Sequence, residues 1–88
     1  MPRHLLDAER ILIEREATHG SFADVATTSQ APKAALRQGV HWDSLSDRQR
    51  EALQMIATKL SRVVNGDAGH GDHWADIAGY AELARGNE

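Results

Sequence analysis

The sequence predicts an all-α fold, one compact domain of four to five helices over residues 1–88. Three observations predict it. Apolar residues recur three and four positions apart through the long segments, as the buried face of a helix requires. Ser46-Asp47-Arg48-Gln49 sets a hydroxyl three positions ahead of a glutamine, the pattern of a capped helix start. Nowhere does an alternation of apolar and polar residues compete for a strand.

At 88 residues the chain is one small domain with no internal repeat or low-complexity segment. A chain of this size buries only about two-thirds of its unfolded surface, so a dimer or larger homo-oligomer is expected to complete the core. The 41% hydrophobic and 26% charged content is that of a globular domain, and the net charge of −3 argues against extended nucleic-acid binding. The absence of cysteine rules out a disulfide framework and a thiolate metal site. No apolar run reaches membrane-spanning length, and MPRHLLDAER breaks its apolar pair with charge, unlike a signal peptide. A soluble, cytoplasmic protein with no membrane partner is the expectation.

The first helix is expected from Pro2 to about Thr18, with Leu5, Ala8, Ile11 and Leu12 on one face and Asp7, Arg10, Glu14 and Arg15 between them. His19-Gly20 ends it, since glycine takes the left-handed conformation there. Ser21 then caps a second helix with Phe22, Val25, Ala26 and Ser29 on one side, broken near Ala31 because Pro32 disfavours a helix interior. A short helix from Pro32 through Arg37 ends at Gly39, and Val40 to Asp43 forms a link in which Trp42 plugs the core. The helix capped by Ser46 carries Leu53, Ile56, Leu60 and Val63 or Val64 as its core stripe and stops at Asn65-Gly66. After the polar loop DAGHG, Asp72 serves as N-cap of the last helix. There Trp74, Ile77, Ala78, Ala81 and Ala84 face inward, and Gly79 admits a neighbouring backbone.

The sharpest chemical clue is the pair Asp72 and Asp76. Four residues apart, their carboxylates lie one turn apart on a helix face and repel unless a cation sits between them. Asp72 reads equally well as a cap, and Asp76 as the ion-pair partner of Lys59 or Arg62. Lys59 lies between Met55 and Val63, close to the apolar stripe, and either neutralises the aspartates or meets a phosphate. Glu51 sits in a first turn, where a carboxylate favours the helix dipole whatever else it does. His70 and His73 flank Asp72 without matching a defined zinc spacing. Trp42, Trp74 and Tyr80 read as core or interface aromatics rather than base-stacking platforms. There is no glycine-rich phosphate loop and no serine or cysteine nucleophile with a partner.

The runs ILIEREATHG (Ile11 to Gly20), EALQMIATKLSRVVNG (Glu51 to Gly66) and DHWADIAGY (Asp72 to Tyr80), together with Trp42, resemble a family of small phage and prophage proteins. That family is related to the all-α MazG-type nucleotide pyrophosphohydrolases. The resemblance spans most of the chain. It implies a MazG-like helical unit, dimeric or tetrameric, in the host cytoplasm. It further implies that acidic residues of two helices hold Mg2+, or Mn2+, against a nucleoside triphosphate that water cleaves to monophosphate and pyrophosphate. Carried onto this chain, it makes Glu51 and Asp76 catalytic carboxylates and adds Asp72 as the third metal ligand. Lys59, Gln54, His19 and Arg62 become substrate-binding residues. The chain departs from the pattern. Where the family type carries Glu-Glu-x-x-Glu and Glu-x-x-Asp, this sequence has Arg50-Glu51-x-x-Gln54 and His73-x-x-Asp76, so three carboxylates are replaced. Those losses set a non-catalytic nucleotide-binding or protein-interaction module beside the enzyme as the alternative.

Overall fold

The computed structural model describes residues 7–86. It contains α1 (Asp7–His19), α2 (Phe22–Leu36), a 3-10 turn (Trp42–Ser44), α3 (Asp47–Asn65) and α4 (Gly71–Arg85), and the described residues include no strand. The fold is all-α, as the periodicity predicts. The expected start of the first helix, with Pro2 and Leu5, lies outside the described residues.

The third helix starts where the capping box places it. Ser46 Oγ accepts from the Gln49 amide at 3.1 Å and Gln49 Oε1 accepts from the Ser46 amide at 3.0 Å, so two amides at the helix entrance are satisfied reciprocally. This helix is the centre of the molecule, packing α2 on one flank and α4 on the other. Its contact with α2 is made by small polar side chains that let the backbones approach. Ser61 Oγ donates to the Val25 carbonyl at 3.1 Å, Ser29 and Thr58 hydroxyls meet at 3.3 Å, and Asn65 Nδ2 donates to Thr28 Oγ1 at 2.7 Å. Residues late in α3 meet residues early in α2, so the two run antiparallel.

Proline does not break α2. The helix runs unbroken through Pro32 to Leu36, so the expected break near Ala31 and the separate short helix are both corrected. Thr28 and Pro32 both lie on the exposed side of α2, where the ring of the proline meets no packed neighbour element. Trp42 is half-buried rather than a core plug. Its carbonyl accepts from Arg50 Nε at 3.2 Å while the Asp43 carbonyl accepts from Arg50 Nη2 at 2.8 Å, so one guanidinium fastens the link to α3.

The apolar core is small. Among the described residues only Val25, Ala52 and Ala57 are buried hydrophobics, joined by buried Ser29, Lys59, Ser61 and His73. Ala8, Ile11 and Leu12 of α1 and Phe22 and Leu60 of the expected inner faces stand exposed. On α4 the inward side is His73, Asp76, Ile77, Tyr80 and Ala84, about one residue's 100° turn from the side expected, and Trp74, Ala78 and Ala81 face out. Polar partners decide this rotation: His73 and Asp76 each find one inside, as described below. Gly79 has no neighbouring chain within 4 Å of its would-be side chain, so it admits no close backbone. The cap of α4 is His70, which makes no side-chain capping bond, and Asp72 lies within the first turn.

Two glycines join α1 to the α3 terminus. Gly20 has φ +81°, and a Cβ there would stand 2.6 Å from the Asn65 carbonyl oxygen; a Cβ on Gly66 would run into the Thr18 carbonyl. The two backbones cross in contact. The crossing is fixed by the Asp67 amide, which donates to the Thr18 carbonyl at 3.0 Å.

Candidate functional site

The Thr18 carbonyl accepts a second bond, from His73 Nε2 at 2.7 Å. A carbonyl only accepts, so Nε2 of His73 carries the proton, and the ring, 1% exposed, is locked between α1 and α4. His19 at the end of α1 and His70 at the start of α4 complete a cluster around it. Ring centroids lie 4.9 Å apart for His19 and His73 and 5.0 Å apart for His70 and His73. On the partner side of each ring, His19 Nδ1 meets the Thr18 hydroxyl and His70 Nε2 lies 3.5 Å from the Asp72 carboxylate.

One turn further along α4, Asp76 Oδ2 accepts from Lys59 Nζ at 2.7 Å. The lysine stem is buried against the helix pair and the carboxylate is half-exposed, which satisfies the ion-pair reading of both residues. The hydrogen bond from Lys59 holds the Asp76 carboxyl below its usual range; burial opposes it, and the charges of Lys59, His73 and Arg62 act in the same direction as the hydrogen bond. At His19, burial disfavours the imidazolium first, and Arg15, Arg62, His73 and Lys59 lower its pKa further. The field at the end of α1 is thus positive within a chain of net charge −3.

Helical geometry sorts the residues singled out in the sequence. Arg62 lies one turn after Lys59 on the same side of α3, and with His19, Asp76 and Lys59 it belongs to one neighbourhood. Asp72 is four residues before Asp76 on the same side of α4, with its side chain open to solvent. Glu51 is not brought to them. Eight residues before Lys59, it stands about 12 Å away along α3, and because α4 runs back antiparallel, Asp72 is farther still, about 18 Å. Gln54 lies about 140° round α3 from Lys59, on the flank where Thr58 and Ser61 meet α2.

In this conformation the residues of the magnesium or manganese set that the resemblance implies do not converge on one point. A hard cation needs several carboxylate oxygens converging on one point. Here Glu51 is remote, the Asp76 carboxylate carries an ammonium, and no group of three His, Asp or Glu side chains among the described residues could hold a metal. What the arrangement offers is donors for an anion. Lys59 has three N–H groups of which one serves Asp76, Arg62 adds a guanidinium, and the His19 ring becomes a donor on both nitrogens once protonated.

His73 and the Thr18 carbonyl were the parts hardest to anticipate. The signal for His73 is the polar stripe His73, Asp76 and Tyr80 at helical spacing, which matches the side that turns inward. No sequence pattern reports a carbonyl acceptor contributed by a distant helix end.

No curated protein and no solved structure matches this chain. The profile of a family described as Domain of unknown function (DUF6378) matches residues 3–87 of the 88, and the chain belongs to that family.

Proposed function

We propose that the protein binds a nucleotide through its phosphates at the end of α1, on the side of the α3–α4 hairpin that carries Lys59 and Arg62. One observation carries the reading: Lys59, Arg62 and Arg15 concentrate positive charge around the His19 ring in an otherwise acidic chain. Phosphate oxygens take charge-assisted hydrogen bonds from such groups, and Lys59 spends one of its three N–H donors on Asp76. In this reading Lys59 holds Asp76, as the structure has it, and meets a phosphate as well. A nucleotide is the occupant that the resemblance to MazG-type proteins supports, and the cytoplasm is where such a ligand is met. The scarcity of buried apolar side chains supports a homo-oligomer as the working form.

A second reading is favoured by Asp72 and Asp76, one turn apart on the same side of α4: a magnesium-dependent pyrophosphohydrolase that releases nucleoside monophosphate and pyrophosphate. The deciding experiment incubates the unmodified protein with a panel of nucleoside triphosphates, in chelator and in magnesium or manganese. Binding and products are measured together. Affinity retained in chelator with no turnover supports the binding module. Monophosphate and pyrophosphate appearing only with the divalent ion, and lost in Asp76→Asn, would replace it with the enzyme. Absence of binding in every condition would refute both.

A further inference from the structure

The basic groups of the proposed phosphate site sit on two sides of a joint. Arg15 and His19 belong to α1, Lys59 and Arg62 to α3. One turn of α4 links the two sides, since His73 holds the end of α1 and Asp76, three residues on and about 4.5 Å farther along the axis, holds Lys59. Arg15 lies one turn before His19 on the same side of α1, just as Lys59 and Arg62 share a side of α3. A ligand that reaches all four groups needs α1 in its docked place.

That docking is light. No residue of α1 is buried, and Arg10 through Ala17 are all exposed, apolar Ile11, Leu12 and Ile13 among them. The ties to α3 and α4 gather at the end of the helix, where the Thr18 carbonyl accepts from the Asp67 amide at 3.0 Å and from His73 Nε2 at 2.7 Å, the His19 ring packs on His73, and Gly20 crosses Gly66. The link to α2 is equally free of shared bonds. The Gly20 amide donates back to the Glu16 carbonyl at 3.0 Å and finishes α1, while Ser21 Oγ accepts from the Asp24 amide at 3.2 Å and starts α2. Rotation at Gly20 and Ser21 therefore unravels neither helix. An element with no buried side chain and its bonds collected at one end opens at a free energy well below that of global unfolding.

We infer that α1 is a hinged arm of the phosphate site: it opens at Gly20 and Ser21, and a polyphosphate bridging Arg15 and His19 to Lys59 and Arg62 holds it closed. The inference rests on the site proposed above and adds its regulation. In the empty chain the docked arm of the structure is the main state and the open arm a minor one. A ligand shifts that balance only as far as it binds one state better than the other. Here the difference is supplied by α1 itself, because the charge-assisted hydrogen bonds from the Arg15 guanidinium and the His19 ring exist only when the arm is closed, whereas Lys59 and Arg62 stay on α3 in both states. The Thr18 carbonyl is the latch, and its two bonds break and form with the arm.

The test follows amide hydrogen exchange by NMR on the whole chain, empty and with inorganic triphosphate at about ten times the Kd that calorimetry gives in the same chelating buffer. The Asp67 amide reports the joint because it donates to the Thr18 carbonyl. In the empty protein it should exchange faster than the Ser61 amide inside α3. Triphosphate should then slow it about tenfold, the factor by which a ligand held only by the closed arm suppresses opening at that concentration. The Leu45 amide, bonded to the Trp42 carbonyl in the link before α3, should keep its rate. Arg15→Gln, a change at an exposed side chain, should weaken triphosphate binding and shrink its effect on Asp67. Equal protection of Asp67 and Ser61 in the empty chain, bound triphosphate that leaves Asp67 unmoved or slows Leu45 as much, or an Arg15→Gln protein that binds as tightly as the unmodified one would each overturn the hinged arm and leave the α3 site standing. Calorimetry with no binding at all would refute the phosphate site, and this inference with it.

Discussion

Replacing Gly66, Gly20 and Gly79 by alanine in turn should give three different results from one chemical change. At Gly66 the backbone has φ −116°, so the cost does not come from a left-handed backbone. Space is the difficulty. The new Cβ would meet the Thr18 carbonyl oxygen and lie 2.6 Å from the Thr18 carbonyl carbon and 2.7 Å from the His19 carbonyl carbon, all backbone atoms that cannot swing aside. Forcing them apart costs about 1–3 kcal/mol as overpacking, and weakening the two hydrogen bonds on the Thr18 carbonyl adds about 0.5–1.5 kcal/mol for each. The two effects share one displacement and do not add fully, so about 2–4 kcal/mol is expected. For a domain of this size that lowers Tm by about 10–25 °C. Gly20→Ala meets the Asn65 carbonyl at 2.6 Å and also has φ +81°, so it should be at least as damaging. Gly79→Ala meets nothing within 4 Å and lies inside α4, where alanine is favoured by about 1 kcal/mol, so its Tm should rise. Thermal unfolding followed by circular dichroism at fixed protein concentration reads all three. A Gly66→Ala protein melting within a degree or two of the unmodified chain would refute the crossing of α1 with the α3 terminus.

Two further outcomes follow from the same geometry. Ser46→Ala should cost about 0.5–2 kcal/mol by removing one half of the capping box, and Gln49→Ala should be no worse, both read by denaturant midpoints. Stability should fall in two stages on acidification. The folded pKa of His19 is below its ordinary 6.5, so stability is full above that value and is lost as falling pH protonates the unfolded chain before the native ring; Asp76, lowered from 3.8, contributes stability above 3.8 that is lost as pH falls through its folded value. Tm against pH should show both declines in the unmodified protein, with the upper one reduced in His19→Gln. An unchanged upper decline would assign it to another group.

What the sequence made legible was whatever depends on local signals. The capping box at Ser46, the stop at Gly20 and the absence of strands are written in consecutive residues, and each stands among the described residues of the structure. Pro32 misleads because propensity takes no account of where the proline sits, and here it and Thr28, one turn before it, are both exposed. The facing of α4 misleads for a related reason. Hydropathy directs Trp74 inward, yet His73 and Asp76 have partners on α1 and α3 that no local pattern reveals, and those partners turn the helix. The same limit governs the site. Lys59 with Asp76 could be read as a pair, being one acid and one base on adjacent helices, but the distance of Glu51 from them depends on how far α4 folds back along α3.

The nucleotide reading is tested most directly by following the His19 ring by NMR while a nucleoside triphosphate is titrated in the presence of a chelator. Phosphate beside the ring offsets the positive field of Arg15, Arg62 and Lys59, so the reading predicts that the His19 pKa rises on binding, and that Lys59→Met weakens affinity at least tenfold. Triphosphate that leaves the His19 titration unmoved, or binds as tightly to Lys59→Met, would contradict it.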